Sequence, residues 1–450
     1  MRELLAETES LCPVCLRKIP AKRVADSGKV YLEKTCLEHG EYKVLIWRQD
    51  SKHYLDWTKD SEKGSGPLHS FTTVDKGCPY DCGLCPEHWT RACTMVLELT
   101  LNCNLKCPVC FASTGKNRKH ELDIDVIRGM YEAIMEGVGV CTIQLSGGEP
   151  TLRDDLSQIV ALGQEIGFNH ILINTNGVRI AREPDYLRRL KEAGASALYL
   201  QFDGISDDVY RHIRGQNLFD IKRRALDNCA REKMGVILVP TIVPGANDHQ
   251  LGDIIQFAKR WIPLVKGVHF QPISHMGRYP HPPSDEDRIT IPDVIDALEC
   301  QTDGELKRED FLPRHAQDSH CSFSSFFILT REGKLEGISN LARGRVSGWG
   351  SRTEPPPEEI SRCFMSRHWQ FNESCCQSSA ENDFYDRLLS YNLTITCMPF
   401  QDVWSLDLDR LRGCCGHVVT PDRRIIPFCA YYLTSTSGER LYTSSLEQEP

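Results

Sequence analysis

The 450-residue sequence lacks any long apolar run. No stretch approaches the roughly 18 consecutive apolar residues that a membrane-spanning helix needs. The first ten residues, MRELLAETES, also lack the apolar core of a signal peptide. We therefore expect a cytoplasmic protein without a transmembrane segment, whose contact with any membrane would be peripheral.

An excess of positive charge is missing as well. The chain has 53 Lys and Arg residues against 62 Asp and Glu residues, which gives a formal net charge of -9. No basic field is left to attract a nucleic-acid backbone, so we expect no nucleic-acid partner. With 40% hydrophobic and 26% charged residues, the composition is that of an ordinary globular protein rather than a disordered one.

Cysteine, in contrast, is abundant, with 21 residues that are clustered along the chain. A reducing cytoplasm disfavours structural disulfides, so clustered cysteines predict metal or iron–sulfur ligands. The first cluster has the spacing C-x2-C-x20-C-x2-H and consists of Cys12, Cys15, Cys36 and His39. Two tight pairs of this kind converge on one tetrahedral ion. Ligand identity alone leaves both zinc and a rubredoxin-like iron open.

From residue 95 onwards, strand-like and helical runs alternate six times. The strand-like runs are TMVLELT, VCTIQLS, HILINT, ALYLQFD, VILVPTIV and VHFQPI. This alternation predicts parallel βαβ units, in an open sheet or in a full or partial barrel. Ligands bind beyond the carboxyl ends of the strands in each of these architectures, so we expect the chemistry in the loops that follow the first four strands.

The loop after the first of these strands carries C-x3-C-x2-C, with Cys103, Cys107 and Cys110. Three thiolates can hold three irons of a cubane cluster and leave the fourth iron open to a chelating ligand. The alternative is a zinc site, or a closed cluster whose fourth cysteine comes from elsewhere in the chain.

A second C-x3-C-x2-C set precedes the first strand and consists of Cys78, Cys82 and Cys85. No strand-like run leads into this set, so we interpret it as an auxiliary cluster with Cys93 as a candidate fourth ligand. A zinc site that uses His88 is the alternative.

The C-terminal cysteines are more scattered. A further cluster could gather Cys321, Cys414, Cys415 and Cys429, with one ligand from the adjacent pair because neighbouring side chains point in different directions. Three other cysteines lie on strand or helix patterns that predict small core residues: Cys141, Cys229 and Cys300.

CNLKCPVCF after one strand and SGGEP after the next resemble the radical S-adenosylmethionine (SAM) superfamily, over about residues 95–275. The resemblance implies an α/β fold with a partial, TIM-like (β/α)6 barrel and an enzyme that depends on a [4Fe-4S] cluster and SAM. It also implies that Cys103, Cys107 and Cys110 are the catalytic cluster ligands and that SAM chelates the open iron.

In that superfamily the Gly-Gly-Glu-Pro turn binds the SAM amino group, which indicates Gly147, Gly148 and Glu149 here. Glycines let the backbone approach a ligand closely, and a carboxylate pairs with an ammonium. Residues at two later strand ends resemble positions that contact the SAM ribose and carboxylate: Asn174, Asn176, Gln201 and Asp203. Alternatively, Asn176 and Gly177 only form a turn, and Asp203 only caps a helix.

The order of the motifs along nearly the whole chain resembles a multi-cluster subgroup, the tetraether lipid synthase and its methylase-like relatives. This implies one or two auxiliary [4Fe-4S] clusters, a mononuclear Fe or Zn, and a reductant such as ferredoxin or flavodoxin. One segment departs from the pattern, because FLPRHAQDSHCSFSS contains the single cysteine Cys321 where the subgroup is expected to be richer in cysteine.

From this resemblance we predict hydrogen abstraction from an unactivated carbon and C–C bond formation on a lipid alkyl chain, in a long and largely apolar cavity. One alternative is a methylase-like enzyme that acts on a pterin-type small molecule. Another is an iron–sulfur electron carrier without SAM chemistry, but a carrier has no need for an open iron.

The predicted units are a ribbon or rubredoxin-like metal module at 1–60, an auxiliary cluster segment at 61–94, a barrel at 95–280 and a C-terminal auxiliary cluster and substrate domain at 281–450.

Overall fold

The computed structural model describes residues 2–58, 66–115, 121–314, 317–339, 368–369, 371 and 388–442. No helix within these ranges is long and apolar enough to cross a membrane.

The N-terminal residues form a four-stranded antiparallel sheet in the order β1-β2-β3-β4. Its strands are β1 (Glu3–Leu11), β2 (Lys18–Asp26), β3 (Lys29–Cys36) and β4 (Gly40–Trp47). Because β1 and β3 both run antiparallel to β2, their carboxyl ends meet at one edge of the sheet. The predicted ligand pairs follow these two strand ends, so the topology itself brings them together.

The larger sheet contains a run of parallel strands that curves around an interior space. Its centre consists of the predicted strands β5 (Thr94–Thr100), β6 (Thr142–Gly147), β7 (Ile171–Thr175), β8 (Ala197–Gln201), β9 (Gly235–Val239) and β11 (Val265–Pro272), with the short β10 (Thr241–Ile242) beside β11. The sequence-based expectation of a partial parallel barrel is confirmed.

Strands from the C-terminal part of the chain extend this sheet at both edges. Residues on both sides of the predicted boundary at residue 280 therefore belong to one sheet. Strand β15 (Asn392–Cys397) pairs in parallel with β11, and β16 (Gly416–Val419) pairs in parallel with β5. Antiparallel strands lie beyond them: β12 (Leu312–Pro313), β13 (Phe323–Leu329), β14 (Leu335–Gly337) and β17 (Ile425–Pro427).

Helices connect and cover the strands. They are α1 (Ser51–Asp56), α2 (Ile124–Gly137), α3 (Leu156–Ile166), α4 (Val178–Arg182), α5 (Pro184–Glu192), α6 (Asp207–Arg214), α7 (Phe219–Arg231), α8 (Leu251–Arg260), α9 (Ile291–Gln301), α10 (Leu408–Arg412) and α11 (Phe428–Tyr431). Helix α2 is amphipathic, because apolar residues recur at helical spacing and form its buried face: Ile127, Met130, Tyr131 and Ile134.

The strands alternate between two buried faces. Leu145, Ile173 and Leu200 point outward and pack in the main hydrophobic core against the helices. Their neighbours Gln144 and Asn174 point inward and line a cavity inside the curved sheet. The period of two therefore places apolar residues under the helices and leaves polar ones for the interior.

His170, immediately before β7, makes the stability of the fold dependent on pH. Its Nδ1 lies 3.0 Å from the Thr142 hydroxyl, and its buried Nε2 has no hydrogen-bond partner among the described residues. Burial lowers the pKa of His170 to about 4, whereas a histidine in an unfolded chain titrates near 6.5. The unfolded state therefore binds the proton first, and the free energy of unfolding falls as the pH drops from about 6.5 towards 4.

We expect this residue to account for about 3 kcal/mol across that window, at 1.36 kcal/mol per pKa unit. Denaturant unfolding at a series of pH values should show a shallower acid slope in His170→Gln than in the unchanged protein. His249→Gln is the control, because the His249 side chain is 65% exposed. A slope in His170→Gln that equals the unchanged slope would contradict this role.

Candidate active site

A cavity of about 280 Å³ lies inside the curved sheet. Its wall includes most of the residues that the sequence predicts at strand ends: Cys103, Cys107, Cys110, Gly147, Gly148, Glu149, Asn174, Asn176 and Gln201. These residues come from four different strand ends, and parallel strands bring such ends to one edge. Asp203 is not part of the wall.

The loop with the three cysteines follows β5 and is fastened from two sides. The N–H of Leu105 donates to the Cys103 sulfur over 3.4 Å. Across the loop, Cys110 and Arg278 exchange two backbone hydrogen bonds of 2.9 and 3.0 Å. The Arg278 Nε–H also donates to the carbonyl oxygen of Cys107 over 3.0 Å. Backbone hydrogen bonds and the Arg278 side chain therefore hold the loop in place, together with the contact to the Cys103 sulfur.

The thiols of this loop suit a positively charged centre. Burial, together with the charges of Glu149, Cys107 and Cys110, raises the pKa of Cys103 to about 12, although the hydrogen bond from the Leu105 N–H opposes the shift. A thiolate at this position is unstable without a cation close by, and ligation to iron removes that penalty. The residues present thus fit a cluster with three cysteine ligands.

Glu149 is buried and accepts hydrogen bonds from around its turn. One carboxylate oxygen accepts from the Thr151 N–H (3.1 Å) and hydroxyl (2.5 Å) and from the Thr175 hydroxyl (2.7 Å), while the other accepts from the Asn176 N–H (2.7 Å). Burial raises the pKa of Glu149, although these hydrogen bonds oppose the shift. The fixed carboxylate joins the ends of β6 and β7.

Asn176 makes a turn and also holds the cysteine loop. Its Oδ1 accepts from the Val178 N–H over 3.0 Å, and Gly177 has a φ of 76°. Its Nδ2–H donates to Asn104 Oδ1 over 2.7 Å. The turn interpretation therefore holds together with a link to the loop between Cys103 and Cys107.

Asp203 lies behind the cavity wall and forms an ion pair there. It is fully buried and accepts from Arg214 Nε–H and Nη2–H at 2.7 and 2.8 Å. Burial alone would lower the pKa of Arg214, but the charge of Asp203, and after it that of Cys107, raises it. Arg214 itself lines the cavity beside Cys107, so it is the residue of this pair that can meet a ligand.

Sequence reasoning missed both Arg214 and Lys222. The buried ammonium of Lys222 donates to the Asn176 carbonyl over 2.6 Å and to Gln201 Oε1 over 2.7 Å, and burial lowers its pKa to about 7. The sequence does indicate that this lysine is buried, because Lys222 lies on the apolar face of α7 with Ala225, Leu226 and Cys229.

The interior of the cavity is mixed in polarity. Asn174 Nδ2–H donates to Gln144 Oε1 over 3.2 Å, while the buried Asn174 Oδ1 has no partner among the described residues. His269 and Thr396 share a 2.7 Å hydrogen bond at the wall. The apolar part of the wall includes Val96, Val109, Ile273, Met398, Phe400 and Phe428. Apolar side chains thus make up most of the wall, with the polar groups of Gln144, Asn174 and His269 among them.

Cys78, Cys82 and Cys85 come together as a second buried group. Contact with Cys78, and then burial and the charges of Cys78 and Cys85, raise the pKa of Cys82 well above its usual value. Asp81 shapes the loop by accepting three backbone N–H groups at 2.6 to 2.7 Å. His88 lies apart from this arrangement, with its Nε2 2.8 Å from the Cys414 carbonyl oxygen.

The C-terminal cysteines divide into two sets. Burial raises the pKa of Cys414 strongly, and the charges of Cys429, Cys321 and Cys93 add to the shift. The Arg410 Nη2–H donates to the Cys321 sulfur over 3.4 Å. Cys415 instead has its sulfur 2.9 Å from that of Cys93. The adjacent Cys414 and Cys415 therefore point to different partners.

Cys12, Cys15, Cys36 and His39 have their ligand atoms within 4.8 Å of one another, as a single tetrahedral ion requires. The hydrogen bond with His39, followed by backbone N–H groups, lowers the pKa of Cys36 to about 6. Among the three cysteines expected in the core, Cys141 and Cys229 are buried, but Cys300 is exposed because it lies on the outer face of α9.

Comparison with known proteins gives two family matches and one relative that spans almost the whole chain. The model of the radical SAM superfamily matches residues 97–258, and that of the HMPTM N-terminal zinc ribbon domain matches residues 4–48. The 7,8-dihydro-6-hydroxymethylpterin dimethyltransferase of Methanocaldococcus jannaschii is 37% identical, over 94% of this chain and 93% of its own length. The chain belongs to the radical SAM superfamily.

Other proteins match shorter parts of the chain. Mycofactocin maturase MftC of Mycobacterium tuberculosis (strain CDC 1551 / Oshkosh) is 28% identical over 55% of this chain and 59% of its own length. The crystal structure of Streptococcus suis SuiB bound to S-adenosylmethionine is 14% identical, with a TM-score of 0.39, and 48% of each chain is covered.

Membership of the superfamily decides between the classes that the sequence left open. The protein is a radical SAM enzyme that uses a [4Fe-4S] cluster and SAM, and the electron-carrier alternative is set aside. The zinc ribbon and the further cysteine groups fit an additional metal ion and auxiliary clusters.

Proposed function

We propose that this radical SAM enzyme transfers a carbon unit to a pterin-type small molecule bound in the barrel cavity. The relative of 37% identity that spans almost the whole chain is named as a dimethyltransferase of a hydroxymethylpterin, which supports the substrate class. The pterin-type substrate is thereby favoured over the lipid.

Within this proposal, Cys103, Cys107 and Cys110 hold the catalytic cluster. When bound, the cluster and SAM supply the one-electron chemistry that activates a C–H bond. Glu149, fixed by its hydrogen bonds, offers negative charge to the SAM ammonium, and the backbone of Gly147 and Gly148 lies in the same wall.

Arg214 offers a guanidinium to the SAM carboxylate from its position beside Cys107, with Asp203 and Lys222 as supports behind the wall. The Asp203 carboxylate keeps the buried guanidinium charged, and Lys222 fixes the amide of Gln201. Asp203 thus acts as a positioning residue, and we assign its predicted ligand contact to Arg214.

The polar side of the cavity carries the substrate proposal. Asn174 Oδ1 is a buried acceptor without a donor among the described residues, and such a group is costly unless a ligand or water satisfies it. A pterin ring presents N–H donors and carbonyl acceptors along its edge, which match the amides of Asn174 and Gln144. An alkyl chain offers no donor.

The volume agrees with a compact substrate. Ligand cavities in proteins typically measure about 300–1,000 Å³. At about 280 Å³ this cavity lies just below that range.

Lipid C–C bond formation remains the second candidate, on one observation. The wall near Phe400, Phe428 and Met398 is apolar, and burial of a chain there would contribute roughly 0.8 kcal/mol per methylene. A lipid terminus could enter along this side without a charged anchor.

Two further cysteine groups complete the proposal. Cys78, Cys82 and Cys85 form one auxiliary cluster site, and Cys321, Cys414 and Cys429 form another. The N-terminal ribbon holds Zn or a single Fe. A soluble electron carrier such as ferredoxin or flavodoxin would reduce the clusters.

The test compares two substrates with one anaerobically reconstituted, reduced protein. We expect 6-hydroxymethyl-7,8-dihydropterin to increase 5'-deoxyadenosine formation and to gain mass, as measured by liquid chromatography and mass spectrometry. An archaeal diether lipid in detergent should give neither effect. Asn174→Leu should weaken the pterin effect while SAM cleavage without substrate continues, because we reassign Asn174 from the predicted contact with SAM to a contact with the substrate. Stimulation by the lipid alone would reverse the assignment.

A further inference from the structure

Cys93 and Cys415 lie side by side in the wall of the barrel cavity, immediately before β5 and β16. Both residues are only 1% exposed, and their sulfur atoms are 2.9 Å apart. They stand at the amino ends of these strands, whereas the loop with Cys103 follows the carboxyl end of β5. The pair therefore lies at the opposite end of the cavity from the proposed SAM site.

The backbone fixes the pair independently of the sulfur contact. The Cys93 N–H donates to the Cys415 carbonyl over 2.9 Å, and the Thr94 N–H donates to the same oxygen over 3.3 Å. Thr94 and Gly416 then begin the parallel pairing of the two strands. Both Cα positions are thus held by the sheet.

Only a small movement separates these thiols from a bond. A disulfide has a sulfur–sulfur length of about 2.05 Å, so the two atoms need to approach by less than about 1 Å.

The Cys415 thiol also has a hydrogen-bond partner, which would lose its donor if a disulfide formed. The Cys415 thiol donates to Gln317 Oε1 over 2.9 Å. Formation of a sulfur–sulfur bond would release this acceptor and remove the S–H donors at that end of the cavity. The redox state of the pair therefore changes the polarity of the wall.

We propose that Cys93 and Cys415 form a redox-active dithiol, a two-electron centre in the cavity wall that interconverts between two thiols and a disulfide. On oxidation the two thiols lose two protons and two electrons. A disulfide reagent accepts them, and its own sulfur–sulfur bond opens into two thiols. This centre is independent of which substrate the cavity takes.

The test uses the anaerobically reconstituted holoenzyme, equilibrated with mixtures of reduced and oxidised dithiothreitol and then blocked with N-ethylmaleimide. Peptide mass spectrometry should find a linked Cys93–Cys415 peptide that replaces the two blocked peptides as the mixture becomes more oxidising. It should disappear again on reduction. Cys93→Ser and Cys415→Ser should each eliminate it, whereas Cys141→Ser, another buried cysteine, should leave it unchanged.

Three results would overturn the proposal. The first is no linked peptide in the holoenzyme even with oxidised dithiothreitol alone. The second is a linked peptide that joins Cys93 to Cys414 instead of Cys415. The third is a loss of about four irons per chain from either serine variant, because the thiol concerned would then be a cluster ligand.

Discussion

Simultaneous replacement of Cys103, Cys107 and Cys110 by Ala should reduce SAM cleavage to the background seen without enzyme. All three thiols line the cavity, and the charges of Cys107 and Cys110 contribute to the raised pKa of Cys103. Without the thiolates, no site remains here for the cluster that the superfamily uses. The readout is 5'-deoxyadenosine, measured chromatographically after anaerobic reconstitution and reduction.

Iron analysis separates this effect from general unfolding. The triple variant should lose about four irons per chain and retain the remainder, since the other cysteine groups lie in separate loops. Cys229→Ala is a matched control, because Cys229 is fully buried in α7 without a proposed ligand role. Undiminished SAM cleavage by the triple variant would move the active site to Cys78, Cys82 and Cys85.

The strands and the cysteine loops could be predicted because their signals are local. TMVLELT coincides with β5 and KVYLEKTC with β3, since each is a short apolar or alternating run between turn residues. The ligand pairs of the ribbon could be predicted equally well, because a spacing of two or three residues already places both members of a pair on one turn.

Contacts between distant segments left no such signal. Strand β16 has only four residues and pairs with β5, more than 300 positions earlier, so no periodicity could place it. The contact of Cys93 with Cys415 depends on that pairing, and spacing had grouped Cys93 with the nearer Cys85. Likewise, Asp203 lies close to a strand end as predicted, but only the packing of α6 shows that its carboxylate forms an ion pair with Arg214.

The last prediction concerns Gly148, whose replacement by Ala should weaken SAM binding at least about 10-fold, equivalent to about 1.4 kcal/mol. A Cβ at this position would lie 2.1 Å from the Asn102 carbonyl oxygen and 2.7 Å from its carbon. Both are backbone atoms at the end of β5, so no flexible side chain can yield. Overpacking of this kind typically costs about 1–3 kcal/mol.

The displaced segment leads directly into the cysteine loop, because Asn102 precedes Cys103. The N–H groups of Gly148 and Glu149 donate to the carbonyls of Thr100 and Asn102 over 2.7 and 2.8 Å, so the two loops are joined at this point. A shift there moves the Glu149 carboxylate relative to the cluster ligands. SAM affinity by equilibrium dialysis and the rate of SAM cleavage should therefore fall together.

Gly416→Ala supplies the matched control in the same cavity wall. Its added Cβ would meet no heavy atom within 4 Å, and its φ is not positive. We expect this variant to bind and cleave SAM as the unchanged protein does. Equal SAM affinity in Gly148→Ala and Gly416→Ala would show that the close approach of the two backbones does not position the SAM site, and the role proposed for the Gly147–Glu149 turn would have to be withdrawn.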